Sequence, residues 1–361
     1  MANKRLANTL ANLEKLGLSQ LLVSDPVSIF YLTGQRHFAG ERLLLLHLDS
    51  RGANTLYLNE LSEIKGTIED IDIVQFALGD DSFGRIANGL DRSKPLGLDK
   101  NLPARFLIPL LERSGITDIR LGSDAVDKAR QIKDERERAL MALSSEINDR
   151  AMSRFEALIV EGVTEAAVRD QLAGIYKELG ADRIDFGIVA FGEGAAEPHH
   201  LGGETRLQPG DCVLLDVGCV KDGYCSDMTR TFFYKSVSPR QREVYEVVRR
   251  ANEAAERLVK PGVRFSELDA AARDIIEEAG FGARFTHRLG HSIGLQGHEA
   301  GDVSAYNHDT LEEGMIFSIE PGVYLPGEFG VRIEDLVLVT RDGGRILNEH
   351  PKELKILGAA D

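Results

Sequence analysis

The chain has 361 residues, with 43 Lys+Arg against 58 Asp+Glu and a formal charge of −15. That length suggests about two domains, and the acidic surplus argues against a nucleic-acid partner, which calls for a basic face. Hydrophobic residues make up 43% and charged residues 28%, proportions of a folded globular chain rather than a disordered one.

Met1 to Gln20 is polar and helix-patterned through Leu6, Leu10, Leu13 and Leu16, with no apolar core of a signal peptide. No apolar run approaches the ~18 residues of a membrane span, and Cys212, Cys219 and Cys225 contain no C-x-x-C pair. The expectation is a cytoplasmic protein with reduced, buried thiols and no membrane partner. A helix is predicted over Asn3–Leu18, then short strands at Leu21–Val23, Ile29–Leu32, Leu43–Leu48 and Thr55–Leu58. A short helix at Leu61–Ile68, a strand at Ile71–Val74 and a helix at Pro103–Ser114 complete an α/β rhythm with a mixed sheet. The charge-dense stretch Ala125–Glu137 marks the expected boundary, giving domains 1–125 and 126–361. Beyond it, helices are predicted at Glu135–Ile159, Glu165–Leu179, Pro239–Val259 and Ser266–Ala279. Strand runs follow at Ile184–Phe191, Cys212–Val220, Thr229–Tyr234, Met315–Ile319 and Val331–Val339. This part reads as α+β with a curved antiparallel sheet. Residues 1–130 hold 16 basic and 17 acidic side chains, which leaves 27 and 41 for the remainder, so the acidity belongs to the second domain.

Four carboxylates in that domain occupy apolar surroundings. Asp216 lies inside Cys212–Val220, and Asp227 opens the next strand after a turn between Gly218 and Gly223. The two aspartates are expected to face each other across this hairpin. Glu320 ends the apolar run from Met315, and Glu334 sits within Val331–Val339. An unpaired buried carboxylate costs several kcal/mol, so a single one reads as a turn cap, but four call for a shared cation. His287, His291 and His298 fall within twelve residues interrupted by Gly290, Gly294 and Gly297, and His199 follows Pro198 in a loop. One histidine with four carboxylates is an oxygen-rich donor set. It suits Mn(II), Co(II), Fe(II) or Zn(II) in a two-metal hydrolytic site better than a Cys-rich structural zinc.

These stretches, Pro198-His199, L-Q-P-G-D, L-L-D-V-G, S-D-M-T-R-T, H-R-L-G-H-S-I-G-L-Q-G-H-E, S-I-E-P-G-V-Y and G-V-R-I-E-D, closely resemble the proline-specific M24-type metallopeptidases of the pita-bread fold. These are the prolidases (Xaa-Pro dipeptidases) and aminopeptidases P. I-F-Y-L-T-G and G-E-R-L resemble the same family's smaller N-terminal α/β domain, of creatinase type. The resemblance implies an α+β pita-bread catalytic domain with two divalent ions per subunit, Mn first and Co, Zn or Fe as alternatives. Asp216, Asp227, His291, Glu320 and Glu334 would be the ligands, with Asp227 and Glu334 bridging. Glu320 would double as proton shuttle, His298 would steady the substrate carbonyl, His199 would line the pocket, and Arg332 would pair with a ligand carboxylate. Arg36 or Arg42 would hold a dipeptide's C-terminal carboxylate. The family pattern also implies a homodimer acting on small peptides. The sequence departs from it at Ser292, which follows His291 where glycine is usual. It departs again at Gly40, which precedes Glu41-Arg42 where many prolidases carry histidine. The expected activity is hydrolysis before proline in Xaa-Pro dipeptides. Aminopeptidase P is the alternative, and a metal-free binding protein or a creatinase-type hydrolase is disfavoured by the intact ligands.

Overall fold

The computed structural model describes residues 2–38 and 40–359, and the chain divides into two units, Met1–Arg130 and Gln131–Asp361. The division falls inside the charged stretch Ala125–Glu137.

The first unit runs α1 (Ala2–Lys15), β1 (Gln20–Val23), α2 (Pro26–Thr33), β2 (Leu44–Asp49), β3 (Thr55–Asn59), β4 (Asp72–Phe76), α3 (Ser82–Gly89), β5 (Leu96–Leu98), α4 (Ala104–Ser114), β6 (Ile119–Leu121) and α5 (Asp124–Gln131). Its six-stranded sheet has the order β4-β3-β2-β1-β5-β6 and mixes antiparallel and parallel pairs. The strand expected at Ile29–Leu32 is instead the middle of α2. Asp25 caps it by accepting from Ser28 N, Pro26 stands in its first turn, and Gly34 closes it at φ 72°, so start and stop signals outweigh the strand-like apolar and aromatic run Ile29–Leu32. The short helix expected at Leu61–Ile68 is an irregular turn segment. There Lys65 N donates to Gln35 Oε1 and Gln35 Nε2 donates to Lys65 O, bonds that compete with helical pairing.

The second unit runs α6 (Glu135–Glu156), α7 (Glu165–Glu178), β7 (Arg183–Phe191), β8 (Cys212–Lys221), β9 (Tyr224–Cys225), β10 (Met228–Tyr234), α8 (Pro239–Leu258), α9 (Phe265–Glu278), β11 (Gly290–Ser292), β12 (Glu299–Val303), β13 (Ile316–Ile319), β14 (Gly322–Leu325), β15 (Phe329–Arg332), β16 (Asp335–Thr340), β17 (Gly343–Ile346) and β18 (Ile356–Leu357). Helix starts are set by capping boxes, Asp134 with Glu137 for α6 and Ser238 with Gln241 for α8. One sheet has the order β18-β10-β8-β7 with β9 on β8, and another has β12-β11-β13-β16-β17. Apolar side chains of α6 and α7 pack on the first sheet and those of α8 and α9 on the second. Glu334 N donates to Thr229 O at 3.1 Å, stitching β10 to the residue that precedes β16. The three cysteines are free and buried.

Candidate metal centre between two sheets

Three of the four anomalous carboxylates stand where strands stop. Asp216 is inside β8, opposite Thr229 of β10, so it does not face Asp227 as the hairpin reading expected. The turn at Asp222 (φ 49°) and Gly223 (φ 87°) has the two positive φ angles of a tight hairpin and pairs β8 with β9. Asp227 then falls in the gap between β9 and β10. Glu320 lies just past β13. Glu334 occupies a break at Ile333-Glu334 that divides the single strand expected over Val331–Val339 into β15 and β16. A regular strand would alternate these side chains between faces; the breaks let them converge.

Donor atoms of Asp227, His291 and Glu334 lie within 4.8 Å of one another. His291 Nε2 is 3.7 Å from Asp227 Oδ2 and 3.4 Å from Glu320 Oε1. His291 Nδ1 faces Ser292 O at 3.2 Å, which fixes the ring proton there and leaves the Nε2 lone pair toward the acids. Burial, then His298, pushes the His291 pKa down to about 3, so this imidazole is neutral, the form that ligates. Burial pushes Asp227 and Glu334 well above the carboxylate range, reinforced for Asp227 by Glu334 and for Glu334 by Glu320. Glu320 rises to about 7, again through burial. Buried oxygens Asp216 Oδ1, Asp227 Oδ1 and Glu334 Oε1 have no hydrogen-bond partner among the described residues. Like charges gathered with unpartnered oxygens are unfavourable by themselves, and a divalent cation relieves both defects. The donor set fits the metals expected from the sequence.

The surrounding groups orient these donors. Arg332, 3% exposed, donates through Nη2 to Asp216 Oδ2 (2.7 Å), through Nε to Thr229 Oγ1 (3.1 Å) and through Nη1 to Tyr324 OH (2.8 Å). Thr229 Oγ1 donates to Glu334 Oε2 at 2.7 Å. Tyr324 OH is 2.8 Å from His287 Nε2, while His287 Nδ1 donates to Arg288 O at 2.7 Å. Arg230 Nη1 donates to Glu334 O at 2.7 Å and its Nη2 pairs with Asp335 at the same distance. Asp335 is therefore an anchor behind the site. Ser318 Oγ accepts from His291 N (3.0 Å) and donates to Glu320 Oε1 (3.1 Å). Gly290 is required here because a Cβ would stand 1.9 Å from Ser318 O.

A cavity of about 470 Å³ opens on the cluster and is lined by Asp216, Asp227, Glu320, Glu334 and Arg332 together with His199, His287, Arg288, His291 and His298. His298 stacks on His291 with centroids 3.8 Å apart. Arg288 Nη2 lies 3.2 Å from His298 Nδ1; an arginine can only donate, so the proton of a neutral His298 ring sits on Nε2. Arg36 and Arg42 belong to the first unit, where they border a cavity of about 790 Å³ with Phe30, His37 and Lys65. Arg288, Tyr324 and Thr229 stand within the motifs quoted above, but no sequence signal distinguishes them as site residues. Spacing alone does not show which polar side chains turn toward a site.

The profile described as metallopeptidase family M24 matches residues 139–341, and the creatinase/prolidase N-terminal domain profile matches residues 5–132. The chain belongs to the M24 metallopeptidases. It is 33% identical over 354 residues to the Xaa-Pro dipeptidase of Pyrococcus horikoshii, covering 98% of this chain and 99% of that one. Among solved structures, the dipeptidase PepE of Mycobacterium ulcerans superposes with a TM-score of 0.92 at 35% identity, covering 99% and 98% of the two chains. The recombinant prolidase of Thermococcus sibiricus gives 0.89 at 32% identity, covering 99% of each. This M24 peptidase therefore has the pita-bread catalytic fold, preceded in the sequence by a creatinase-type domain.

Proposed function

We propose that this M24 peptidase is an Xaa-Pro dipeptidase that uses two divalent cations, Mn(II) foremost, held by Asp216, Asp227, His291, Glu320 and Glu334. The observation that carries the reading is the convergence of these five donors with His199, His298 and Arg288 on one cavity of about 470 Å³, a volume suited to a small ligand. Bound cations would supply Lewis acidity and a strong water-derived nucleophile near neutral pH.

The chain's own groups provide the rest. His298, with its proton on Nε2, can donate to the oxygen that becomes negative as the carbonyl is attacked. Glu320, whose carboxylate faces the cavity beside His291, can take a proton from the attacking water and pass it to the departing proline nitrogen. That nitrogen has no N–H in the substrate, so recognition cannot rest on an amide hydrogen there. His199 would line the proline side of the pocket. Arg288, two-thirds buried at the cavity and paired through Nη1 with Asp302, has remaining guanidinium N–H groups for a dipeptide's terminal carboxylate. Arg36 and Arg42 would share that task in a homodimer, whose expected compartment is the cytoplasm.

Comparing a Xaa-Pro dipeptide with its Xaa-Pro-Yaa extension on Mn-loaded protein tests the reading. Release of proline from the dipeptide is expected, with little turnover of the tripeptide; the reverse preference would establish aminopeptidase P activity instead. Asp227→Ala should reduce turnover to background, and full activity in that variant would defeat the two-metal mechanism.

A further inference from the structure

His298 stands in a loop whose shape is fixed by the residue immediately after it. Glu299 Oε1 accepts from Leu295 N at 2.9 Å, so the carboxylate reaches back four residues and closes the loop around His298. Gly294 packs directly above the same group, where a Cβ would stand 2.9 Å from both carboxylate oxygens. Gly294 O in turn accepts from Cys225 N at 2.8 Å, tying the loop to the segment that carries Asp227. The other oxygen of Glu299, Oε2, faces Lys133 Nζ at 3.3 Å, with the lysine side chain 1% exposed and the glutamate 5% exposed. Lys133 itself is pinned where its N–H meets Gly314 O at 2.9 Å. Two residues earlier, Gln131 Nε2 donates to Ala300 O at 2.9 Å.

An ammonium withdrawn this far from water is stable only against a well-placed partner, and buried pairs of this kind are often no more stabilising than apolar replacements. Their defensible contribution is geometric. Glu299 is also the residue opposite Ser292, at a bulge in the pairing of β11 with β12, so the ion pair grips the loop between the ligand His291 and the donor His298.

We propose that Glu299 and Lys133 are positioning residues for His298: the buried pair closes loop 294–299 and sets the imidazole over the cavity without touching substrate. This rests on the hydrolytic role given to His298 above. Glu299→Gln keeps an acceptor for the loop amides but removes the charge facing Lys133, and Lys133→Met keeps the carboxylate and its loop bonds but removes the ammonium facing it. In the Mn-loaded full chain, both should lower kcat by about 10- to 100-fold, with KM and bound Mn within about twofold. In a His298→Ala background, Glu299→Gln should cost less than about threefold, since groups acting as one unit are not additive. Independent losses that multiply, or loss of Mn in step with kcat, would overturn the proposal. Peptide-resolved hydrogen exchange over residues 294–300 requires no turnover and separates this proposal from the substrate assignment. Faster exchange is expected in both variants even if the substrate proves not to be Xaa-Pro, and unchanged protection would refute the positioning role. Lys133→Met/Glu299→Leu removes both buried charges and serves where a single variant fails to fold. It should melt near wild type yet keep the kcat loss; recovered kcat would reduce the pair to a stability element.

Discussion

Arg332 holds Asp216, Thr229 and Tyr324 with separate nitrogens of one guanidinium, and through Thr229 it also fixes Glu334. Lysine carries the charge but cannot present donors in this planar fork. Arg332→Lys should therefore lower kcat/KM by about 10- to 100-fold, and Arg332→Met should do so with a matching fall in Mn affinity, measured by titration of the stripped protein. Equal activity in wild type and Arg332→Met would show that Asp216 needs no such support. The four carboxylates that line the cavity were legible in the sequence because a carboxylate in an apolar run demands a physical reason. Arg288 was not, since an arginine beside a histidine cluster looks the same whether it faces solvent or the cavity.

At the level of elements, strands and long helices were readable from period and caps, with the long helices of the second unit ending within three residues of their expected limits. What escaped was the capping of α2, the irregular segment 61–68, short elements such as α3, β5, β6, β11, β12, β14 and β17, and the break between β15 and β16. The break matters more, because Glu334 reaches the cluster from a position where a continuous strand would have fixed its side. The loop carrying His199 has its own fastening. Glu165, in the first turn of α7, accepts from Phe191 N and Gly203 N at 2.8 Å and meets His200 Nε2 at 3.1 Å. His200 Nδ1 faces Glu197 at 3.2 Å. Burial opposes the charged ring, but the two glutamates prevail and its pKa is raised. A folded-state pKa above the unfolded value of about 6.5 stabilises fully below that pH and loses the contribution as pH rises through the folded value. The Tm difference between wild type and His200→Gln should shrink as pH increases from about 5.5 to 8.5. A difference that widened over that range would mean the ring is neutral in the fold.

On the scale of the whole molecule, the acidity of residues 131–361 includes a core component as well as solvated surface. Burial and neighbouring acids raise the proton affinity of Asp227 and Glu334 above that of ordinary carboxylates, so a cation binding there competes with protons. Adding Mn(II) to stripped protein in weak buffer near pH 6 should acidify the solution, and the apparent affinity should fall as pH is lowered. Chelation should lower Tm, because an ion bound only by the folded state stabilises it by mass action. A pH-independent affinity with no proton release would contradict the electrostatics of the cluster. The thiols carry a last consequence. Cys212, Cys219 and Cys225 are all buried, and burial pushes the Cys219 thiol up to about 11 and the other two higher still. Since the thiolate is the reactive form, alkylating reagents should leave the native chain unlabelled and mark it only when β8 and β9 part from their neighbours. The rate of iodoacetamide incorporation becomes a clock for opening of the catalytic domain, readable with or without metal and without introducing any probe.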